Sequence, residues 1–586
     1  MVNLLRARAP VIALLVASLV AAPSLWAGLL VDDYFHGIKL ENLAPEIGGD
    51  LFSFANGDPK ETSKLIVDGP YPWWAWPNLR FQFFRPLSTA VARAEHAVLG
   101  RNDVLKHLHS ILWWLALVLV VNQLYRRTLE PPDADRRWLA PATTATALAM
   151  LLFALDDVHW MVVMWIANRN SLLATVPTLI GLLLHLRARE DQKGHVWYAL
   201  PFFALGLSAG ETAIGALAYL GAYELFGARD GWKARAKALL PVSLLGVGYV
   251  ITYKLTESGA AGSGIYLDPL RDPIGFVTAA PGRMLALIGA QFLGIASDLW
   301  LAVIASRPYL VALGILAVAL TGWLLRAIWP RLPDEQRRHV KWLIAGAVMS
   351  LLPVVATFPL NRLLLMPSIG GAAVIAVIFT HADRTITSQK WAVRLLILTN
   401  VIHAPVGWAA SYVVGGILAK GQVTSALETP ITDEAFSKRV VLFSAPDPAL
   451  ALYPPLVRLW FGKPRSVAWL VFSMAPRAHR ITRTGPSTIE LEVIDGRMLE
   501  TVFERLVRSE TLPVPVGFTA KINHATVKVV ELDRELPRRI SIEFEDIDSP
   551  EWTFVEWHDG KFIPLVLPAL GQSRDLPLEA GIAPSQ

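Results

Sequence analysis

Two adjacent carboxylates, Asp32 and Asp33, stand in the stretch GLLVDDYFHG, directly behind an uncharged apolar run. A second pair, Asp156 and Asp157, lies in LFALDDVHWMVVMWIANRNSLL together with His159 and Arg169. Arg85 follows a loop rich in proline and aromatics, Glu211 interrupts an apolar stretch, and Arg362 sits beside Asn361 in TFPLNRLLLMPSIG. A carboxylate can take the proton of an acceptor hydroxyl as general base, an effect of ~10²–10⁴-fold on rate. Arginines hold phosphate through paired hydrogen bonds. Both charge signs inside apolar sequence therefore point to group transfer from an anionic lipid. Each feature also has a plain reading. An Asp-Asp pair can cap a helix, an arginine at a span end can snorkel, and Glu211 can be a solvated turn residue. Asp33, Asp157 and His159 offer oxygen and imidazole ligands, which makes a divalent metal a candidate cofactor. No HExxH or comparable spacing fixes a site, so a reaction without metal stands beside it. There is no Gly-rich phosphate loop and no Gly-x-Ser-x-Gly elbow.

These residues need elements to hold them, and the sequence supplies apolar ones. Of 586 residues 53% are hydrophobic and only 18% charged, with a mean hydropathy of +0.42, which is too apolar for a soluble chain of this length. Residues 10–31 follow Arg6 and Arg8 and match the ~20 apolar residues that cross a bilayer. Leu25-Trp26-Ala27 is a poor cleavage site, so this is read as a retained helix and not a removed signal. Further apolar stretches lie near 107–125, 139–155, 171–187, 197–227, 237–254, 283–329, 341–357, 362–380 and 391–418. The stretch 197–227 breaks near Gly210, and 283–329 near Pro308, because proline lacks the amide donor a helix interior needs. With 283–305 as a re-entrant or surface pair, about eleven spans result. The basic clusters near 126–137, 187–193, 229–237, 331–341 and 384–390 then all face the cytoplasm. The expected topology is an inner- or plasma-membrane protein with a cytoplasmic N-terminus, its acid pairs, outward arginines and C-terminus lying on the periplasmic or luminal side.

The net charge of +5 sits mostly in those loops and argues topology, not nucleic-acid binding; with no cysteine, external parts fold without disulfides. The first external loop, 31–84, carries Trp73, Trp74, Trp76, Phe81, Phe83 and Phe84, which suit an aromatic belt at headgroup depth or a lipid-tail groove. Beyond a membrane domain covering residues 1–419, residues 420–586 change to short alternating runs such as TIELEVIDG and RRISIEFEDID. Period-2 alternation between turns predicts an antiparallel, sandwich-like β domain outside the membrane. PDPALALYPPLVRLWFG reads as an interfacial helix or loop tying that domain to the bilayer.

Over roughly its first 400 residues the chain resembles the GT-C superfamily of integral-membrane glycosyltransferases. The nearest branch contains the transmembrane and tetratricopeptide-repeat O-mannosyltransferases, although the repeats are missing here. That family has an Asp-Asp pair after its first span, matched by Asp32 and Asp33, then Arg-Pro-Leu at Arg85-Pro86-Leu87 and a His-Leu span start at His107-Leu108. His159, Val163, Trp165 and Arg169 match a longer motif in which Asp156-Asp157 replaces His-Pro and Met161 replaces a glutamate. Glu211 survives after Gly210 from a Lys-Glu motif, and Asn361-Arg362 with Pro367-Ser368 replaces Glu-Arg with Pro-Ser. The resemblance implies a polyprenyl-phosphate sugar donor, a glycan, lipid or protein acceptor, and inverting transfer on the outer face. It implies a base in the first external loop, Asp33 with Asp32 beside it, and the charge pattern adds Arg85, Arg169 and Arg362 as expected phosphate or charge partners. His107, Asp156, Asp157, His159 and Glu211 would support them. The changes at Met161, Gly210 and Asn361 leave a catalytically silent lipid- or glycan-binding scaffold as the alternative. A transporter is the third reading, opposed by the large external loop and the absence of an inverted repeat.

Overall fold

A computed structural model describes residues 2–45, 47–138 and 140–582, without the side chains of residues 2–5. The chain forms two compact units. One comprises residues 1–28, 84–256 and 269–413; the other comprises 29–83, 257–268 and the chain from 414 onward. The loop expected as part of the membrane domain thus belongs to the same unit as the C-terminal domain.

The first unit is helical. Its long helices start where the sequence offers a cap. The Asn102 side chain accepts from Leu105 N ahead of Asp103–Leu129, and Thr143 accepts from Thr146 N ahead of Thr144–Leu155. Ala9, Ala13, Ala17 and Ala21 form a fully buried stripe on Val2–Ala21, and such small residues at a spacing of four allow close helix packing. Among the described residues seven helices are long and apolar enough to cross a membrane, and an eighth is if the pair Thr144–Leu155 and Asp157–Met164, bent by 41°, counts as one span. The expected count of about eleven is not reproduced, for local reasons. Leu200–Ala209 and Ile214–Ala222 are separated at Gly210 and Glu211 and are each too short, and Pro367–His381 has only 15 residues. Asp334–Val354 opens on a charged turn. Conversely Pro273–Leu293, expected within a re-entrant or surface pair, is a continuous helix of 21 residues and one of the seven.

The second unit holds the strands. A three-stranded sheet joins β1 (Ser53–Asn56), β2 (Arg80–Gln82) and β3 (Gly259–Ala261). The C-terminal strands are β4 (Arg439–Leu442), β5 (Ala468–Val471), β6 (His479–Gly485), β7 (Thr488–Val493), β8 (Thr519–Ile522), β9 (Ala525–Asp533), β10 (Leu536–Phe544), β11 (Trp552–His558), β12 (Lys561–Pro564) and β13 (Ser573–Leu576). They make a six-stranded sheet β13-β6-β7-β10-β9-β8 and a four-stranded sheet β12-β11-β4-β5 that share one core. Alternation does what it predicts: Ile489, Leu491 and Val493 of β7 are fully buried, while Glu490 and Glu492 face outward and pair with Arg539 and Arg538 of β10. The six-stranded sheet is antiparallel throughout, whereas β4 runs parallel to both β5 and β11. The parallel step from β4 to β5 needs a crossover. The short helices Pro448–Leu452 and Pro454–Trp460 supply it, so the expected interfacial segment is a crossover inside the domain.

Trp73 and Trp74, expected in an aromatic belt, are 2% and 1% exposed and lie in the core of this second unit. Their indole N–H groups donate to Phe472 O and Glu504 O, both at 2.9 Å. The loop 31–84 therefore contributes core to the β unit. Trp73→Ala should cost about 3–5 kcal/mol, the usual range for a large aromatic lost from a core. A lower thermal midpoint and faster proteolysis of the C-terminal domain are expected; an unchanged midpoint would contradict this burial.

Candidate active site

In the second unit, Asp32 and Asp33 open the helix Asp32–Leu40, where the positive end of the helix dipole favours carboxylates. The residue before them, Val31, has φ 34° and ψ −103°. A β-branched side chain is strained there, at a cost on the order of 1–3 kcal/mol. The turn is pinned by side chains: Leu30 N donates to Asp33 Oδ2 at 2.9 Å, and Val31 N donates to Gln422 Oε1 at 3.1 Å. Asp33 is buried and Asp32 half-buried, and Asp32 Oδ1 accepts from the Tyr453 hydroxyl at 2.7 Å. Burial, followed by the charge of Asp32, pushes the Tyr453 hydroxyl well above its ordinary range, so it remains a donor.

In the first unit the sequence-selected residues fall into separate groups. Arg85 donates from Nε to Glu211 Oε2 at 2.9 Å, a second nitrogen reaches the same oxygen, and Tyr253 donates to Glu211 Oε1 at 3.4 Å. Glu211 is therefore an ion-pair partner, not a plain solvated turn residue. Arg169 is buried and each guanidinium nitrogen has a protein acceptor: Nε on Ser110 Oγ at 2.8 Å, Nη2 on Lys106 O at 2.8 Å and Nη1 on Glu95 Oε1 at 2.5 Å. Glu95 also bonds His109 Nδ1 at 2.8 Å. Burial alone would raise Glu95, but the His109 hydrogen bond and the Arg169 charge outweigh it and hold the carboxyl below its ordinary value.

A further group gathers at the broken span. Asp156 caps Val158 N through Oδ1 at 3.2 Å and accepts from Gln291 Nε2 through Oδ2 at 2.8 Å. The helix Ala404–Leu427 passes so close to Asp157 that a Cβ on Gly407 would lie 1.7 Å from Asp157 Oδ2. Asn361 accepts from Ser297 N and Oγ, each at 2.9 Å, and its own amide donates to Asp298 Oδ2 at 3.1 Å. Burial raises the Asp298 carboxyl against the pull of the Asn361 amide and the Arg362 charge. The Arg362 guanidinium lies 5.0 Å from the Trp165 ring centroid, the geometry of a cation–π contact.

The two histidines are buried. His107 Nε2 bonds Gly28 O at 3.0 Å, and His159 Nε2 bonds Ser368 Oγ at 2.9 Å between the rings of Trp114 and Phe153. Asp157 and His159 belong to the first unit and Asp33 to the second. Among the described residues no three His, Asp or Glu side chains gather as a metal site. Sequence reasoning passed over Glu95, His109, Gln291, Asp298, Gln422 and Tyr453. Glu95 lies 74 residues from Arg169 and Tyr453 421 from Asp32, and no local spacing marks such pairs. No protein-family model matches the sequence, and no curated protein matches it either. Function must be read from the residues themselves.

Two outcomes follow from this geometry. Glu95→Gln leaves Arg169 buried without its counter-charge, which should cost about 3–5 kcal/mol near neutral pH. A depressed carboxyl stabilises fully above its unfolded value and loses that contribution as pH falls through its folded value. The gap between thermal midpoints of wild type and variant should therefore be widest near neutral pH and close as pH falls through the depressed range of the Glu95 carboxyl; a gap that does not change with pH contradicts the ion pair. Gly407→Ala should force Asp157 or its helix to move and lower the midpoint, while Ala409→Gly on the same helix should have a much smaller effect.

Proposed function

We propose that this protein is an inverting membrane glycosyltransferase that uses a polyprenyl-phosphate sugar on the outer side of the membrane. The observation that carries the reading is the acid pair: two carboxylates presented by a strained, side-chain-pinned turn directly after an apolar first helix. In the reaction, one carboxylate of Asp32 and Asp33 removes the proton of the acceptor hydroxyl. The acceptor oxygen forms a bond to the anomeric carbon, the carbon–oxygen bond to phosphate breaks, and polyprenyl phosphate leaves with that electron pair. Arg362, which the charge pattern of the sequence marks as a phosphate or charge partner, lies in the first unit with its guanidinium over the Trp165 ring. Arg85 and Arg169 are placed as structural ions, because Glu211 and Glu95 hold them. The acceptor class is a glycan, lipid or protein hydroxyl.

The same two ion pairs favour a rival, a catalytically silent scaffold that binds lipid or glycan, since part of the expected phosphate charge is already neutralised within the protein. One assay separates the readings. Purified wild type, Asp32→Asn, Asp33→Asn and Arg362→Lys are supplied with a panel of polyprenyl-phosphate sugars and pooled cellular acceptors, and released polyprenyl phosphate is measured. Transfer predicts wild-type turnover, a loss of ~10²–10⁴-fold in at least one aspartate variant, and a raised donor KM for Arg362→Lys, because an ammonium cannot reproduce a planar fork. Wild-type rates in both aspartate variants remove the base assignment, and no turnover with any donor favours the scaffold.

A further inference from the structure

Asp32 and Asp33 are held by residues from far along the chain, and the pattern of holding says more than the acids do. Val31 occupies a backbone region that a β-branched residue avoids, and such strain persists only where the surroundings over-determine it. Here they do so from two directions. Gln422, 1% exposed, takes the Val31 amide on its side-chain oxygen, so the peptide that carries the strain is fixed from the end of the last long helix. Tyr453 takes Asp32 Oδ1 from the crossover between β4 and β5.

These two supports are braced against each other and against the acid helix. Arg458, in the helix following Tyr453, donates to Ala426 O at 2.9 Å and to Asp433 Oδ1 at 2.6 Å, with its guanidinium 4.1 Å from the Phe436 ring centroid. This ties the segment carrying Tyr453 to the segment carrying Gln422. The helix Asp32–Leu40 lies against Trp460 at Gly37, where an added Cβ would come within 2.6 Å of the indole. Any larger residue at 37 would force the acid helix or the indole to shift.

We propose that Gln422 and Tyr453 are positioning residues, which clamp the strained turn at residues 30–33 and set the orientation of the acid pair, so that the C-terminal domain is part of the catalytic apparatus. The catalytic role of the pair rests on the proposed transferase reading; the clamp itself does not. Tyr453 donates a neutral hydroxyl to the carboxylate, which favours the charged form and fixes the orientation of the group. Gln422 acts one step back, on the backbone whose direction determines where both carboxylates point.

The test uses the full-length protein in phospholipid vesicles, as wild type, Tyr453→Phe, Gln422→Leu, Asp32→Asn and Asp33→Asn. Tyr453→Phe keeps the ring and Gln422→Leu keeps most of the volume, so both should fold, which thermal midpoints check. Hydrogen exchange of the peptide covering residues 29–34 reads the clamp without any activity. Both variants should exchange faster there, with distant peptides unchanged, and wild-type exchange in both overturns the clamp. With a donor that wild type turns over, each variant should lose about ten- to a hundredfold in kcat with donor KM within about twofold. For Tyr453→Phe the acidic limb of the kcat profile should also move to higher pH, because a carboxylate that loses a donor is protonated more easily. Gln422→Leu should leave that limb in place. Faster exchange with wild-type kcat overturns the positioning role while leaving the clamp. Full activity in both Asp32→Asn and Asp33→Asn overturns the transferase base itself, a result distinguishable from either.

Discussion

An ionised group taken out of water must find its counter-charge or its hydrogen bonds inside the protein, and this requirement organises both units. In the helical unit it decides the fate of the arginines. Arg169 could serve as a free phosphate fork only if its nitrogens were open, and Ser110, Lys106 O and Glu95 take each of them. Elsewhere in the same unit His185 and Arg189 converge on the fully buried Glu224, and Arg127 reaches Asp191. Charge in this unit is thus used mostly in closed pairs. Pairs of this kind contribute little net stability but are costly to break, which makes them devices for fixing which helix lies against which.

The same requirement acts in the β unit. Asp32 and Asp33 are met by hydrogen-bond donors, a backbone amide and a phenol.

How much of this could be read from the sequence depended on whether the information was local. The alternation of TIELEV gave its inward and outward faces directly, and the apolar runs gave a multi-helix membrane unit. Trp73 and Trp74 were misplaced because a cluster of tryptophans has the same composition at a membrane interface as in a domain core; only Phe472 and Glu504, about 400 residues on, distinguish the two. The parallel pairing of β4 and β5 was equally hidden, since a crossover of two five- to seven-residue helices looks like any proline-rich connection. Of the candidate site, the acids, Arg85, Glu211 and Arg362 were visible as charges in apolar sequence. Their partners were not, because Glu95 sits on an ordinary amphipathic helix and Tyr453 and Gln422 carry no charge at all.

That distance has a consequence for how the protein assembles. Trp73 and Trp74 pack into a core completed by the strands from residue 439 onward, and the acid turn closes on residues 422 and 453. Contacts so far apart in sequence are slow to form, because the loop-closure cost precedes the gain. The partners of Trp73 and Trp74, at Phe472 and Glu504, come late in the order of synthesis. The strain at Val31 then acquires a logic beyond orientation. The local bond from Leu30 N to Asp33 is joined at Val31 N by Gln422, so the turn is complete only with a residue nearly 400 positions on.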